Sequence, residues 1–315
     1  MKKIHFLTIL GLASTVAFVQ AQTTSYSEIV GYSKVSVPSG TRAVVPGFVK
    51  AAVFSGAGAV SGQTVVSSGL TANALKPTEF SSGAPNFPTH YLEITAGTYE
   101  GYSFDVLSNT ASGVTVSGLP TALNGTTISY VIRPHLTLGD IDSSGLPDGS
   151  VVLNIFNNPT VAASSYLYDS GGNWYDGSGS FLMNHAVIYP GTGVSLNNSS
   201  GQFEVSFTGV VKANKTAIPV YQNATQNLVG PMNPSTSTSL TEWANPLPAD
   251  TVANVLTTIG DNNVSLTLLT DLGSTTLYDG GGNPIPSVSL QGQNAFSMSA
   301  MSQDGYVIFK SPLQP

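Results

Sequence analysis

Apolar and polar residues alternate with a period of two along most of this chain, in short runs punctuated by Gly, Asn, Pro and Ser. That is the pattern of β-strands with one buried face. The runs predict strands at 31–37, 42–49, 90–95, 102–107, 114–117, 126–133, 151–156, 165–168, 186–189, 202–211, 264–270 and 306–309. Helical spacing stands out once. Asp250 occupies an N-cap position, and Val252, Val255, Leu256 and Ile259 fall on one helical face, so a short helix is expected over 250–259. A shorter helical turn is expected at 239–243. Asn124-Gly125 before an apolar run predicts a hairpin with a type I′ turn. The expected fold class is all-β: antiparallel sandwich-like units with a partial internal duplication and at most one or two short helices.

Two echoes carry the duplication. Leu167-Tyr-Asp-Ser-Gly-Gly-Asn173 returns as Leu277-Tyr-Asp-Gly-Gly-Gly-Asn283, and Gly31-Tyr-Ser-Lys-Val-Ser-Val-Pro38 is echoed within 209–219. Each member of the second pair is followed by a strand ending in Pro and Gly, Val44-Val-Pro-Gly47 and Leu228-Val-Gly-Pro231. The expected division is a leader at 1–21, a β unit at 22–133, a second at 134–233 and a third, related to the second, at 234–315.

The start of the chain gives its destination. Met1-Lys2-Lys3 precedes an apolar run to Val19 and a small-x-small site, Val19-Gln20-Ala21, the layout of a secretory signal peptide cleaved after Ala21. The run falls short of the roughly 20 residues of a membrane span. No later segment is long and apolar enough, so no membrane-spanning segment is expected after cleavage. Export to the outer surface or medium is expected, with the periplasm as the alternative.

Composition narrows the chemistry. Of 315 residues, 41% are hydrophobic but only 9% are charged, against about 25% in ordinary soluble domains. The chain's 40 Ser, 32 Thr, 33 Gly and 21 Asn supply polarity without charge. The absence of Cys excludes disulfide scaffolds, thiolate metal sites and cysteine nucleophiles. A net charge of −7 with scattered basic residues excludes nucleic acid as an expected partner. The cluster Gly56-Ala-Gly58-Ala-Val-Ser-Gly62 lacks a Walker lysine and misses the dinucleotide spacing, and reads as a loop.

Four segments also resemble an uncharacterised family of exported proteins of Verrucomicrobia-type bacteria: Glu28–Gly40, Thr89–Gly101, Arg133-Pro-His-Leu-Thr-Leu-Gly139 and Ile188-Tyr-Pro-Gly-Thr-Gly-Val194. The resemblance implies an exported β-rich protein and transfers no catalytic residue.

No coherent catalytic set emerges. His90, His135 and His185 share no metal-ligand spacing, and no GxSxG elbow occurs. Asp169 and Asp279 stand at repeated positions, but Asp-Ser/Gly-Gly-Gly-Asn is good hairpin-turn material. Catalytic residues and a resident cofactor are therefore not expected. Asp140, Asp142, Ser144 and Asp148 follow calcium-loop spacing with Gly145 in the sixth place, but Val151 replaces the twelfth-position acid. They read as a solvated acidic loop or a weak calcium site. Trp174 and Tyr175, at the tip of a hairpin, are the glycan candidates, with an exposed ring expected there. The expectation is a non-catalytic exported structural or cell-surface protein, self-associating through sheet edges or meeting envelope components. A polysaccharide-binding adhesin and a secreted hydrolase are the alternatives.

Overall fold

The computed structural model describes residues 28–77, 86–142, 145–156, 164–221, 227–232, 234 and 305–310, and the backbone pairing of strands at 238–239, 252–259, 262–269, 277–278, 284–285, 289–290 and 295–299. Strands dominate, as alternation dictates. Among the described residues the only helical pieces are single 3-10 turns at Thr121–Leu123 and Leu138–Asp140. No helix among them is long and apolar enough to cross a membrane.

The chain opens with β1 (Val30–Val37) and β2 (Gly40–Val44), then enters a closed barrel of β3 (Phe54–Ser61), β4 (Thr64–Val66), β5 (His90–Ile94), β6 (Ser103–Thr110), β7 (Gly113–Val116) and β8 (Thr127–Pro134). The barrel order is β3-β4-β7-β6-β5-β8, with antiparallel neighbours. Inward positions of its strands, among them Val60, Leu92, Ile94, Val106, Val114, Ile128 and Ile132, fill it.

Beyond the barrel come β9 (Leu136–Thr137), β10 (Val151–Ile155), β11 (Ser164–Tyr168), β12 (Trp174–Asp176), β13 (Val187–Ile188), β14 (Val194–Asn198) and β15 (Phe203–Val210). These return to the opening strands: β15 pairs with all of β1, and β2 ends the sheet β12-β11-β10-β14-β2. The barrel is thus an insertion between β2 and β9 of a sheet unit whose core includes Val35, Val37, Leu153, Ile155, Leu196, Val205 and Phe207. By pairing, β1 and β2 belong with strands of the segment 134–233 rather than with the N-terminal unit expected at 22–133.

The rest repeats the sheet unit without the barrel: β16 (Thr216–Val220), β17 (Asn227–Val229), β18 (Thr238–Ser239), β19 (Val252–Ile259), β20 (Asn262–Leu269), β21 (Leu277–Tyr278), β22 (Pro284–Ile285), β23 (Ser289–Leu290), β24 (Ala295–Ser299) and β25 (Gly305–Phe309). First pairs with last in both copies, β1 with β15 and β16 with β25. Likewise β9·β13 matches β18·β23, and β2·β14 matches β17·β24. Val252 faces Ser299 as Val151 faces Asn198, and Ala253 faces Leu268 as Val152 faces Leu167, so one shift of 101 residues maps both registers. The repeated Leu-Tyr-Asp segments each enter a hairpin, Tyr168 facing Trp174 and Tyr278 facing Pro284, but the first lies on β11, which also pairs with β10, and the second on the separate strand β21.

Three expectations are corrected. The helix expected over 250–259 is strand β19, paired on both sides by β20 and β24; Asp250 lies outside the described residues. Five of its eight residues, Val252, Val255, Thr257, Thr258 and Ile259, are β-branched and lose χ1 freedom in a helix. The glycine cluster at 56–62 is not a loop throughout: residues 56–61 lie in barrel strand β3 and only Gly62 is in the turn that follows, and a Cβ on Gly58 would sit 1.9 Å from the Val66 carbonyl oxygen. Asn124-Gly125 does not join adjacent paired strands: β8 pairs with β3 and β5, and the turn is tied to β3 by Gly125 N–H donating to Val60 O.

Candidate functional site

Few charges are present, and several of them converge where the barrel meets the sheet unit. Glu93 on β5 and Arg133 on β8 come from the barrel, whereas Lys212 follows β15 and Glu28 precedes β1. Lys212 Nζ lies 2.7 Å from Glu93 Oε1, Arg133 Nε donates to Glu93 Oε2 at 3.3 Å, and Arg133 pairs with Glu28 at 2.7 Å. Arg133 also donates to the Lys50 carbonyl at 2.8 Å, and Lys212 to the carbonyl of Lys215 and to Asn214 Oδ1. Burial pulls the Lys212 ammonium below its ordinary value while Glu93 opposes that fall. Burial works the same way on Arg133, but Glu93, Tyr91 and Glu28 outweigh it and hold the guanidinium above its usual value. Buried charges are tolerated when paired and hydrogen-bonded. This cluster fastens the barrel to the sheet unit.

A second polar group lies beside it. Asp105 on β6 accepts from His135 Nε2 at 3.0 Å through Oδ1 and from the Tyr189 hydroxyl at 2.9 Å through Oδ2. Burial first, and the Asp105 carboxylate second, push the Tyr189 phenol well above its ordinary value, so it stays a donor. His135 is buried against the rings of Tyr91 and Tyr189, and its Nδ1 has no hydrogen-bond partner. Among the described residues no serine hydroxyl hydrogen-bonds His135.

Asp105 forms one wall of a cleft of about 280 Å³ at the meeting of all three parts. The barrel contributes Ser103, Asp105 and Ser117, the first sheet unit Phe156 and Tyr189, and the repeated unit Ile218 and Tyr306. Among the described residues no lysine, arginine or histidine lines it. Tyr306 lies tilted against Tyr102 with ring centroids 4.4 Å apart, and Tyr102 meets Tyr99 edge-on at 5.4 Å. The units are held around the cleft by Gly193 N–H donating to Leu228 O, Gly230 N–H to Gly191 O, and Ala217 N–H to Gly101 O.

The residues singled out in the sequence lie elsewhere. Trp174 is not the exposed ring expected: it is 1% exposed, in the sheet-unit core, with its ring 5.1 Å from that of Tyr168. Strand alternation puts residue 174 inward opposite Tyr168, leaving Tyr175 half-buried opposite Leu167. Asp140 Oδ2 accepts from Thr137 N and Oγ1 at 2.8 and 2.7 Å and pairs with Lys50 at 2.7 Å, closing a capping box. Asp142 N–H donates to Ser206 O, the Asp148 carbonyl accepts from Ser150, and Ser144 lies outside the described residues. Among the described residues no three His, Asp or Glu side chains stand close enough to share a metal ion. Asp169 Oδ1 accepts from Asn173 N–H at 2.8 Å and so shapes its turn; Asp279 lies outside the described residues. His90 bonds Thr89, and His185 packs edge-on against Phe87.

Asp105, His135 and Tyr189 escape a sequence reading because their contacts span 30 and 84 positions. Two of them did lie inside segments that drew notice, 133–139 and 188–194. Comparison with protein families, with curated proteins and with solved structures finds no match to this chain.

Proposed function

We propose that this chain is an exported, non-catalytic structural or cell-surface protein that self-associates through a sheet edge at the exposed start of β1. The observation that carries the reading is that exposed start. Among the described residues β1 pairs with a strand on one side only, and at its start Val30 and Tyr32 are 74% and 69% exposed, next to exposed Ile29. The usual defences of an edge strand are charge, proline and bulges. Here β1 carries one charge, Lys34, which is paired with Glu204 on the neighbouring strand. A further strand could add to such an edge by main-chain hydrogen bonds. The leader-like residues 1–21 support export, and the buried ion pairs support a rigid body whose polar groups hold parts together.

Light scattering after gel filtration, with negative-stain imaging, tests the reading on the exported form over a wide concentration range. Oligomers that grow with concentration and dissolve on Val30→Lys with Tyr32→Lys are expected. Monomers alone at the highest concentration would falsify it. Fractionation of the native cells tests export separately, since recovery in the cytoplasm would remove that part.

A further inference from the structure

Self-association leaves the cleft at the meeting of the three parts unused. We infer that this cleft is a binding site for a neutral sugar ring, with Asp105 as the hydroxyl acceptor and Tyr306 as the platform. The inference stands independently of assembly.

Charge narrows the ligand first. Among the described residues the lining has a single formal charge, the Asp105 carboxylate, and no basic side chain. A phosphate, sulfate or carboxylate would have to be desolvated beside a like charge with no cation to meet it. Anions are excluded on that ground.

Orientation comes next. An ionised carboxylate offers about four lone-pair sites. Here His135 and Tyr189 each take one, on different oxygens, and the side chain is still 26% exposed. The two donors fix the carboxylate and leave acceptor capacity for a ligand hydroxyl. Ser103 and Ser117 add hydroxyls that donate or accept as required.

Shape completes the case. Tyr306 is 38% exposed and is backed by Tyr102, which is itself backed by Tyr99. A ring held this way presents a rigid apolar face beside polar groups, and a sugar ring matches it with C–H groups on one face and hydroxyls around its rim. The volume of about 280 Å³ is near the lower end of small-molecule sites. An ammonium ligand fits less well. The carboxylate already receives two donors, and the surrounding hydroxyls of Ser103 and Ser117 suit a ligand that both gives and takes hydrogen bonds.

The test applies the full exported chain to an array of neutral mono- and oligosaccharides, then measures the best binder by calorimetry. The expected result is retention of at least one neutral sugar, weakened at least about tenfold, or 1.4 kcal/mol, by Tyr306→Ala and by Asp105→Asn but little by Tyr306→Phe. Asp105→Asn is read only if its melting curve stays cooperative, and Tyr306→Ala carries the test alone if it does not. No retained sugar, retention indifferent to Tyr306→Ala, loss on Tyr175→Ala instead, or binding of tetramethylammonium in place of sugars would each overturn the assignment. None of those outcomes bears on the oligomeric state.

Discussion

Lys212 Nζ and Glu93 Oε1 stand 2.7 Å apart with their side chains 1% and 0% exposed, one following the last strand of the sheet unit and the other inside the barrel wall. Removing one partner of such a pair leaves the other charge buried without compensation, at a cost of about 3–5 kcal/mol. Lys212→Met and Glu93→Leu should each lower the urea midpoint by a large step. The double variant should cost clearly less than the two singles together, because neither charge is then stranded and Arg133 keeps Glu28. Additive losses would show that the two charges do not act on each other.

The contact between the two sheet units predicts a second effect. Gly191 has φ +75°, and a Cβ there would lie 2.3 Å from Ile218 Cδ1. Gly191→Ala should therefore destabilise by overpacking, about 1–3 kcal/mol, with added strain from the left-handed backbone. Ile218→Val in the same chain should recover part of the loss and leave the strain. A thermal melt of the three variants decides it: a neutral Gly191→Ala would mean the units do not approach this closely.

Alkaline pH should weaken the fold. Burial raises the phenols of Tyr91, Tyr130, Tyr166 and Tyr189 above their ordinary value, in Tyr189 with help from Asp105. The native state thus keeps protons that the unfolded chain releases near about pH 10. Their contribution is intact below that pH and is lost as pH climbs toward the folded values, at up to about 1.4 kcal/mol per unit for each group. Lys212 acts in the opposite sense, since its lowered value makes the unfolded chain the better proton binder, but only up to about pH 10.4. Melting temperature should fall steeply above that point, and less steeply for Tyr189→Phe. A flat profile to about pH 11 would contradict the burial of these phenols.

The features legible in the sequence are those whose cause is local. Alternation gave most strands of the barrel and sheet unit, because a half-buried strand must alternate. The Asp169–Asn173 turn was legible because its hydrogen bonds close within five residues. Strand β19 was misread because Val252, Val255, Leu256 and Ile259 satisfy a helical face, while the neighbours β20 and β24 that make it a strand pair from elsewhere in the chain. The insertion of the barrel was illegible for the same reason: nothing in β1 names β15 as its partner. The cleft depends on Asp105 meeting His135 and Tyr189, and it assembles only once three parts have docked.

Trp174 shows how a corrected site becomes a stability prediction. Its ring is buried among Tyr168 and the other core residues of the first sheet unit, while Tyr175 on the opposite face is half-buried. Trp174→Ala should leave a cavity costing about 3–5 kcal/mol. Trp174→Phe should cost less, since part of the ring remains, and Tyr175→Ala should cost least because strand alternation turns it away from that core. Chemical unfolding followed by tyrosine fluorescence or far-ultraviolet dichroism ranks the three without relying on the lost tryptophan signal. A Tyr175→Ala loss equal to that of Trp174→Ala would mean that β12 presents its other face to the core, moving Trp174 back to the surface where a glycan could reach it.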